Sequence, residues 1–173
     1  KFASLIHRSA ELMGLDSSTH TLLEGDCRDD LPLPVQAIVF SPPYSTAMKR
    51  GGGIVKREAI LNTDLAEYGS SDPRNLGNFT PFLYNQEMGR IYKLCYNSLP
   101  PGGYLSIIIK DMYAGGELQE LGLRAAQFAT RAGFTIAEWH QWEPPGSRFV
   151  AIHRAAGSRV VEQEHIILAR RPE

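Results

Sequence analysis

Cysteine is scarce in this chain. Cys27 and Cys95 are the only two in 173 residues, and neither sits in a Cys-x-x-Cys or Cys/His pattern, so spacing supports neither a zinc site nor a disulfide framework. A reducing, cytoplasmic location is therefore expected. No apolar run approaches the roughly 20 residues that cross a bilayer, and the first residues lack a basic-then-apolar signal pattern, so no membrane partner is expected. An excess of one charge is missing too: 18 Lys and Arg face 19 Asp and Glu, and the net charge of -1 does not by itself announce a nucleic-acid binder. The five histidines, His7, His20, His140, His153 and His165, show no metal-ligand spacing, and no metal is expected. Repeats, heptads and low-complexity tracts are absent as well. At 43% hydrophobic and 21% charged the chain is ordinary globular material, which fits a single domain over residues 1–173.

Periodicity outlines that domain. Residues 2–13 suggest an amphipathic helix ended by Gly14, and residues 20–24 a short strand followed by the turn signal Gly25-Asp26. Residues 36–40 form an apolar run too short for a helix, of the kind found in a strand buried on both faces of a parallel sheet. Residues 45–80 are rich in Gly, Ser, Asn and Asp, with at most a short helix near 58–68, and a loop of this length is either functional or disordered. A helix over 81–97 begins with Thr80 as cap and Pro81 in its first turn, and carries an apolar stripe of Phe82, Leu83, Met88, Ile91, Tyr92, Leu94 and Cys95. Residues 99–103, Leu-Pro-Pro-Gly-Gly, break it. A strand over 104–109, a helix over 117–132 closed by Gly133, and strands over 134–142 and 160–169 complete the pattern. Alternation of helix and strand predicts an α/β fold with a mostly parallel sheet and helices on both faces. The last two strands, with no helix between them, should pair antiparallel at one edge.

In such sheets ligands bind beyond the carboxyl ends of the strands. The strand over 36–40 runs into Ser41-Pro42-Pro43-Tyr44. Two prolines fix the backbone and remove two N–H donors. The Ser41 hydroxyl oxygen and the Pro42 carbonyl can then converge on one point, which suits the two hydrogens of an aromatic amine, and the Tyr44 ring can stack on the base that carries it. A diproline at a strand end can also be a plain stop signal. Between residues 49 and 57, Lys49, Arg50, Lys56 and Arg57 surround Gly51-Gly52-Gly53 with no acidic residue among them. Taken alone this is a solvated surface loop, and its place next to such a corner is what singles it out. Lys110-Asp111, past the strand over 104–109, lies at the same edge and could line a base pocket or simply meet solvent. Trp139 and Trp142, three apart on a strand, should face opposite sides, one toward the core.

Ser41-Pro42-Pro43-Tyr44 after a buried strand resembles motif IV of the S-adenosylmethionine-dependent DNA amino-methyltransferases, a family of restriction-modification enzymes. In that family Asp or Asn at the first position goes with adenine N6, and Ser more often with cytosine N4. Other stretches resemble it too: Glu24-Gly25-Asp26-Cys27 before motif IV, Leu99 through Leu105 entering the next strand, Gly133-Phe134, and Glu164 through Leu168, so that the likeness spans residues 21–170. It implies a Rossmann-like class I methyltransferase fold with an antiparallel C-terminal strand, S-adenosylmethionine as cofactor, and double-stranded DNA with a flipped base as partner. It also implies roles: Ser41, Pro42, Pro43 and Tyr44 catalytic; Asp26, Cys27 and Ser41 toward the cofactor; Tyr44, Lys49, Arg50, Lys56, Arg57, Lys110 and Asp111 toward the substrate. For Asp26 a simple turn role beside Gly25 stands next to that assignment.

One part of the family pattern is missing. Its glycine-rich cofactor loop, an acidic residue or Asn followed by Phe-x-Gly-x-Gly, does not occur, and Gly51-Gly52-Gly53 follows the wrong strand to replace it. The expectation is a fragment lacking the first strand and cofactor loop. Three functions stay open on these grounds: transfer to N4 of cytosine, or N6 of adenine, in DNA; methyl transfer to RNA or protein; and a degenerate methylase half that binds nucleic acid without turnover.

Overall fold

Residues 2–16, 20–43, 73–114, 116–145, 148–157 and 159–173 are described in the computed structural model. The chain divides into two units, Lys1–Leu31 and Pro32–Glu173. The first holds helix α1, Phe2–Leu12, and the single helical turn α2, Cys27–Asp30. Leu15 N–H donates to the Ala10 carbonyl as the chain leaves α1 at Gly14, as the glycine stop predicts. Residues 20–24 do not form the expected strand. A strand exists only through its ladder, and among the described residues none pairs with this stretch.

The second unit is built on a four-stranded sheet. Strand β1 is Ala37–Phe40, β2 Tyr104–Lys110, β5 Thr135–Trp142 and β6 Glu164–Arg170, in the order β1-β2-β6-β5. β1 and β2 are parallel, with Phe40 opposite Ile107. β6 runs against both neighbours, Ile107 and Trp139 each pairing with its Ile167. The sheet is thus mixed: β1, β2 and β5 share a direction, as a largely parallel sheet requires, while two of its three pairings are antiparallel because β6 inserts between β2 and β5. The expected antiparallel pair is present, with β5 outermost.

Helix α3, Pro81–Ser98, starts as its sequence requires: the Thr80 hydroxyl accepts the Leu83 N–H at 3.3 Å, and Pro81 occupies the first turn. A turn of 3-10 helix, Leu76–Asn78, precedes it. Its buried face is Tyr84, Met88, Ile91, Tyr92 and Cys95. The expected stripe is corrected at its start, where Phe82 and Leu83 are exposed. They belong to the first turn and point away from the face that Tyr84 opens. Ser98 ends α3 and accepts the Leu33 N–H on its Oγ, while its carbonyl takes the Val35 N–H, so the helix end guides the chain into β1. Arg171 donates to the Tyr96 and Leu99 carbonyls, capping the same end.

Helix α4, Leu121–Ala132, packs on α3 and across β2, β5 and β6. Its buried residues are Gly122, Ala125, Ala126, Ala129 and Ala132, small enough to let the backbone lie close to its neighbours. Gly133 closes it at φ +113, a left-handed conformation that costs glycine no side-chain clash. The helix begins four residues later than its periodicity predicts. Glu117–Gln119 (β4) instead pairs antiparallel with Met112–Ala114 (β3), and Asp111 takes the Gly122 N–H, which fixes where helix can start.

The core lies between these helices and one face of the sheet. Met88, Tyr92, Leu99, Leu105, Ile107 and Ile167 are essentially fully buried, each contributing about 2 kcal/mol of hydrophobic stabilisation. On the other face Ser106, Ile108, Ile166 and Leu168 are only half-buried, so among the described residues of the second unit the expected cover by helices on both faces is found on one. β1 likewise departs from a strand buried on both sides: it lies at the sheet's edge, with Val39 68% exposed. A helix the sequence did not suggest, α5 (Arg148–Ala155), lies between the last two strands. It fits a stretch free of Gly and Pro that Gly157 then closes. The 45–72 part of the predicted loop, with its short helix, falls outside the described residues. Among the described residues no helix is long and apolar enough to cross a membrane.

Candidate active site

The carboxyl ends of the parallel strands β1 and β2 lie side by side, and the two are held in contrasting ways. At the end of β1, Ser41 is exposed, Pro42 buried and Pro43 exposed. The Tyr84 hydroxyl donates to the Pro43 carbonyl at 2.5 Å, joining α3 to the diproline corner. Tyr84, Met88 and Tyr92, successive turns of α3, line with Pro42, Phe128 and Ile109 a narrow apolar cleft of about 20 Å³ beside that corner. Arg124 is the charged side chain on its wall. The Tyr92 ring meets Phe40 edge-on at 5.5 Å and stacks on Phe128 at 5.7 Å. Among the described residues its hydroxyl is buried without a hydrogen-bond partner, and burial, with Tyr84 close by, pushes its pKa far up, so it stays a neutral phenol.

At the end of β2 the carboxylate of Asp111 accepts the Gly122 N–H on Oδ1 at 2.9 Å, and its Oδ2 lies 3.1 Å from His165 Nε2. His165 Nδ1 in turn accepts the Trp139 Nε1–H at 3.1 Å, so the ring carries its proton on Nε2, facing Asp111. A Cβ at position 122 would stand 2.4 Å from His165 Cδ2, so only glycine lets the helix start approach this ring. Lys110 is half-buried beside it. Trp139 pairs with Ile167 on the helix-covered face and Trp142 with Glu164 on the other, as three-residue spacing predicts. Neither is core, for β5 is an edge strand, and they are 41% and 48% exposed.

Of the other residues singled out by sequence, Asp26 and Cys27 belong to the first unit. Asp26 caps α2 by accepting the Arg28 N–H, and both its oxygens also receive the buried Arg28 guanidinium at 2.5–3.1 Å. The turn role open to it is therefore filled. Burial of its sulfur and then the Asp26 carboxylate raise the Cys27 thiol above its ordinary pKa, although the residue as a whole is exposed. Tyr44, Lys49, Arg50, Lys56 and Arg57 lie outside the described residues. The structure thus brings together Ser41, Pro42, Pro43, Lys110 and Asp111 at adjacent strand ends. Sequence reasoning missed Tyr84. Its signal was the four-residue step of Tyr84, Met88 and Tyr92 along α3.

No protein-family model and no curated protein matches the chain. Solved structures do. TTHA0409 of Thermus thermophilus, assigned as a DNA modification methylase, superposes with a TM-score of 0.53 at 21% identity over 86% of this chain and 52% of its own. Its complex with S-adenosyl-L-methionine gives 0.52 at 20% identity over 86% and 52%. The cytosine-N4-specific PvuII DNA methyltransferase gives 0.52 at 16% identity over 86% and 49%. The chain therefore has the mixed α/β fold of these methylases and spans about half the length of the structures it matches.

Proposed function

We propose that the chain carries the catalytic corner of an S-adenosylmethionine-dependent DNA amino-methyltransferase, with N4 of cytosine as first target and N6 of adenine as second. The observation that carries this reading is the position of Ser41-Pro42-Pro43: the first three residues of a methylase-like tetrapeptide at the carboxyl end of β1, beside an apolar cleft, in a fold shared with DNA methylases.

The neutral acceptors of the corner and the mostly apolar wall beside it support the cofactor assignment, since they fit a methyl group that arrives already activated. When bound, the cofactor supplies that methyl on a sulfonium. The chain's own part is alignment. Ser41 Oγ and the Pro42 carbonyl accept the amine's two hydrogens, directing the nitrogen lone pair toward the methyl carbon as the N–C bond forms and the S–C bond breaks. The amine's surplus proton leaves to solvent. Tyr44 stacks on the extruded base, Lys49, Arg50, Lys56 and Arg57 neutralise nearby phosphates of duplex DNA, and Lys110 and Asp111 line the pocket from the end of β2. By the resemblance, Ser41 would also face the cofactor.

The test is Ser41→Ala in the full-length protein, assayed on duplex DNA with product nucleosides identified by mass. Methylation should fall about 100-fold, far more than the affinity for S-adenosylmethionine. Methylcytosine or methyladenine in the wild-type digest decides the base, and unchanged turnover of the variant removes the proposal.

A further inference from the structure

A diproline turn has a mechanical weakness. Residues 42 and 43 have no N–H between them, so they cannot anchor themselves by backbone donation and can be held only through ring burial or through donors reaching their carbonyls. The structure supplies both. The Pro42 ring is buried against α3, and the Tyr84 hydroxyl donates to the Pro43 carbonyl.

We infer that Tyr84 is a positioning residue for the corner: by engaging the Pro43 carbonyl it sets the orientation in which Ser41 Oγ and the Pro42 carbonyl meet the target amine. The inference rests on the methyl-transfer reading above and adds to it a residue 41 positions away in sequence. Three observations support it. Tyr84 is 8% exposed, so water competes little for its bond, which a low-dielectric setting strengthens. It stands on a helix fixed at both ends, by the Thr80 cap and by Ser98 with Arg171, so the donor is mounted on a rigid element. And Pro42 is buried between an exposed Ser41 and an exposed Pro43, so the bond reaches the open side of the corner, which the proline ring does not fix. Met88 and Tyr92, on the next two turns, line the same cleft as Pro42.

The experiment compares Tyr84→Phe, Ser41→Ala and the double variant in the full-length protein, using methyl transfer to duplex DNA. Y84F should lower kcat about 10- to 100-fold. KM for DNA and for S-adenosylmethionine should stay within about twofold of wild type. In the S41A background Y84F should add little, since both act on one geometry. Wild-type kcat in Y84F beside an impaired S41A, or losses that multiply in the double variant, overturns the role of Tyr84 alone. Wild-type turnover in S41A overturns the methyl-transfer reading and this role with it. Should Y84F fail to fold, NMR of the wild-type protein decides: a slowly exchanging Tyr84 hydroxyl proton close to Pro43 supports the proposal, and its absence overturns it.

Discussion

Two neighbouring strand ends are secured by opposite means. The end of β1 is poor in donors and depends on a buried proline ring and one phenol, whereas the end of β2 is knotted by a chain of polar contacts running from Gly122 through Asp111 and His165 to Trp139. The first arrangement keeps polar atoms available at the corner. The second consumes them to join a helix start to three strands. Adjacent strand ends can thus divide labour, one presenting chemistry and the other holding the frame, and substitutions should separate the two.

The largest effect should come from Gly122→Ala. Its new Cβ meets a His165 ring held on both nitrogens, and we expect about 3 kcal/mol of lost stability by denaturant unfolding. Asp111→Ala should follow at about 2 kcal/mol, because it strips partners from the Gly122 N–H and from His165 at once. Turnover per folded molecule of that variant sharpens the contrast: a loss beyond the unfolded fraction adds a substrate contact to the structural one. Trp139→Phe removes a single hydrogen bond at a part-exposed site and should cost about 1 kcal/mol. The smallest change should have the other sign. Tyr92→Phe deletes a buried hydroxyl that has no partner among the described residues, and the melting temperature should rise by the equivalent of about 0.5 kcal/mol. A loss of stability there would mean that this hydroxyl is satisfied in solution, and the donor-poor account of the β1 end would fail.

How much of this was legible in sequence depended on range. Thr80-Pro81 announced the start of α3, Gly133 the end of α4, and the apolar runs β2 and β6, because caps and periodicity are written locally. The antiparallel β5–β6 pair was legible, while the insertion of β6 beside β2 was not, since nothing in Glu164–Arg170 names its second neighbour. The β3–β4 hairpin was hidden by Glu117–Gln119, which continues the helical pattern of α4 and is claimed by strand pairing instead. At the site, Ser41-Pro42-Pro43 stood out by composition. The bond from Tyr84 did not, because the four-residue step of Tyr84, Met88 and Tyr92 marks a buried helix face but does not name a partner 41 residues away.

The place of β6 carries a consequence for biogenesis. Translation delivers β1, β2 and β5 to the folding chain before the strand that separates β2 from β5 exists. Until Glu164–Arg170 emerges, β2 has a bare edge beside its apolar side chains Leu105 and Ile107, the kind of surface that chaperones hold and that aggregates recruit. A ribosome stalled short of Glu164 would therefore carry a nascent chain unable to close its sheet.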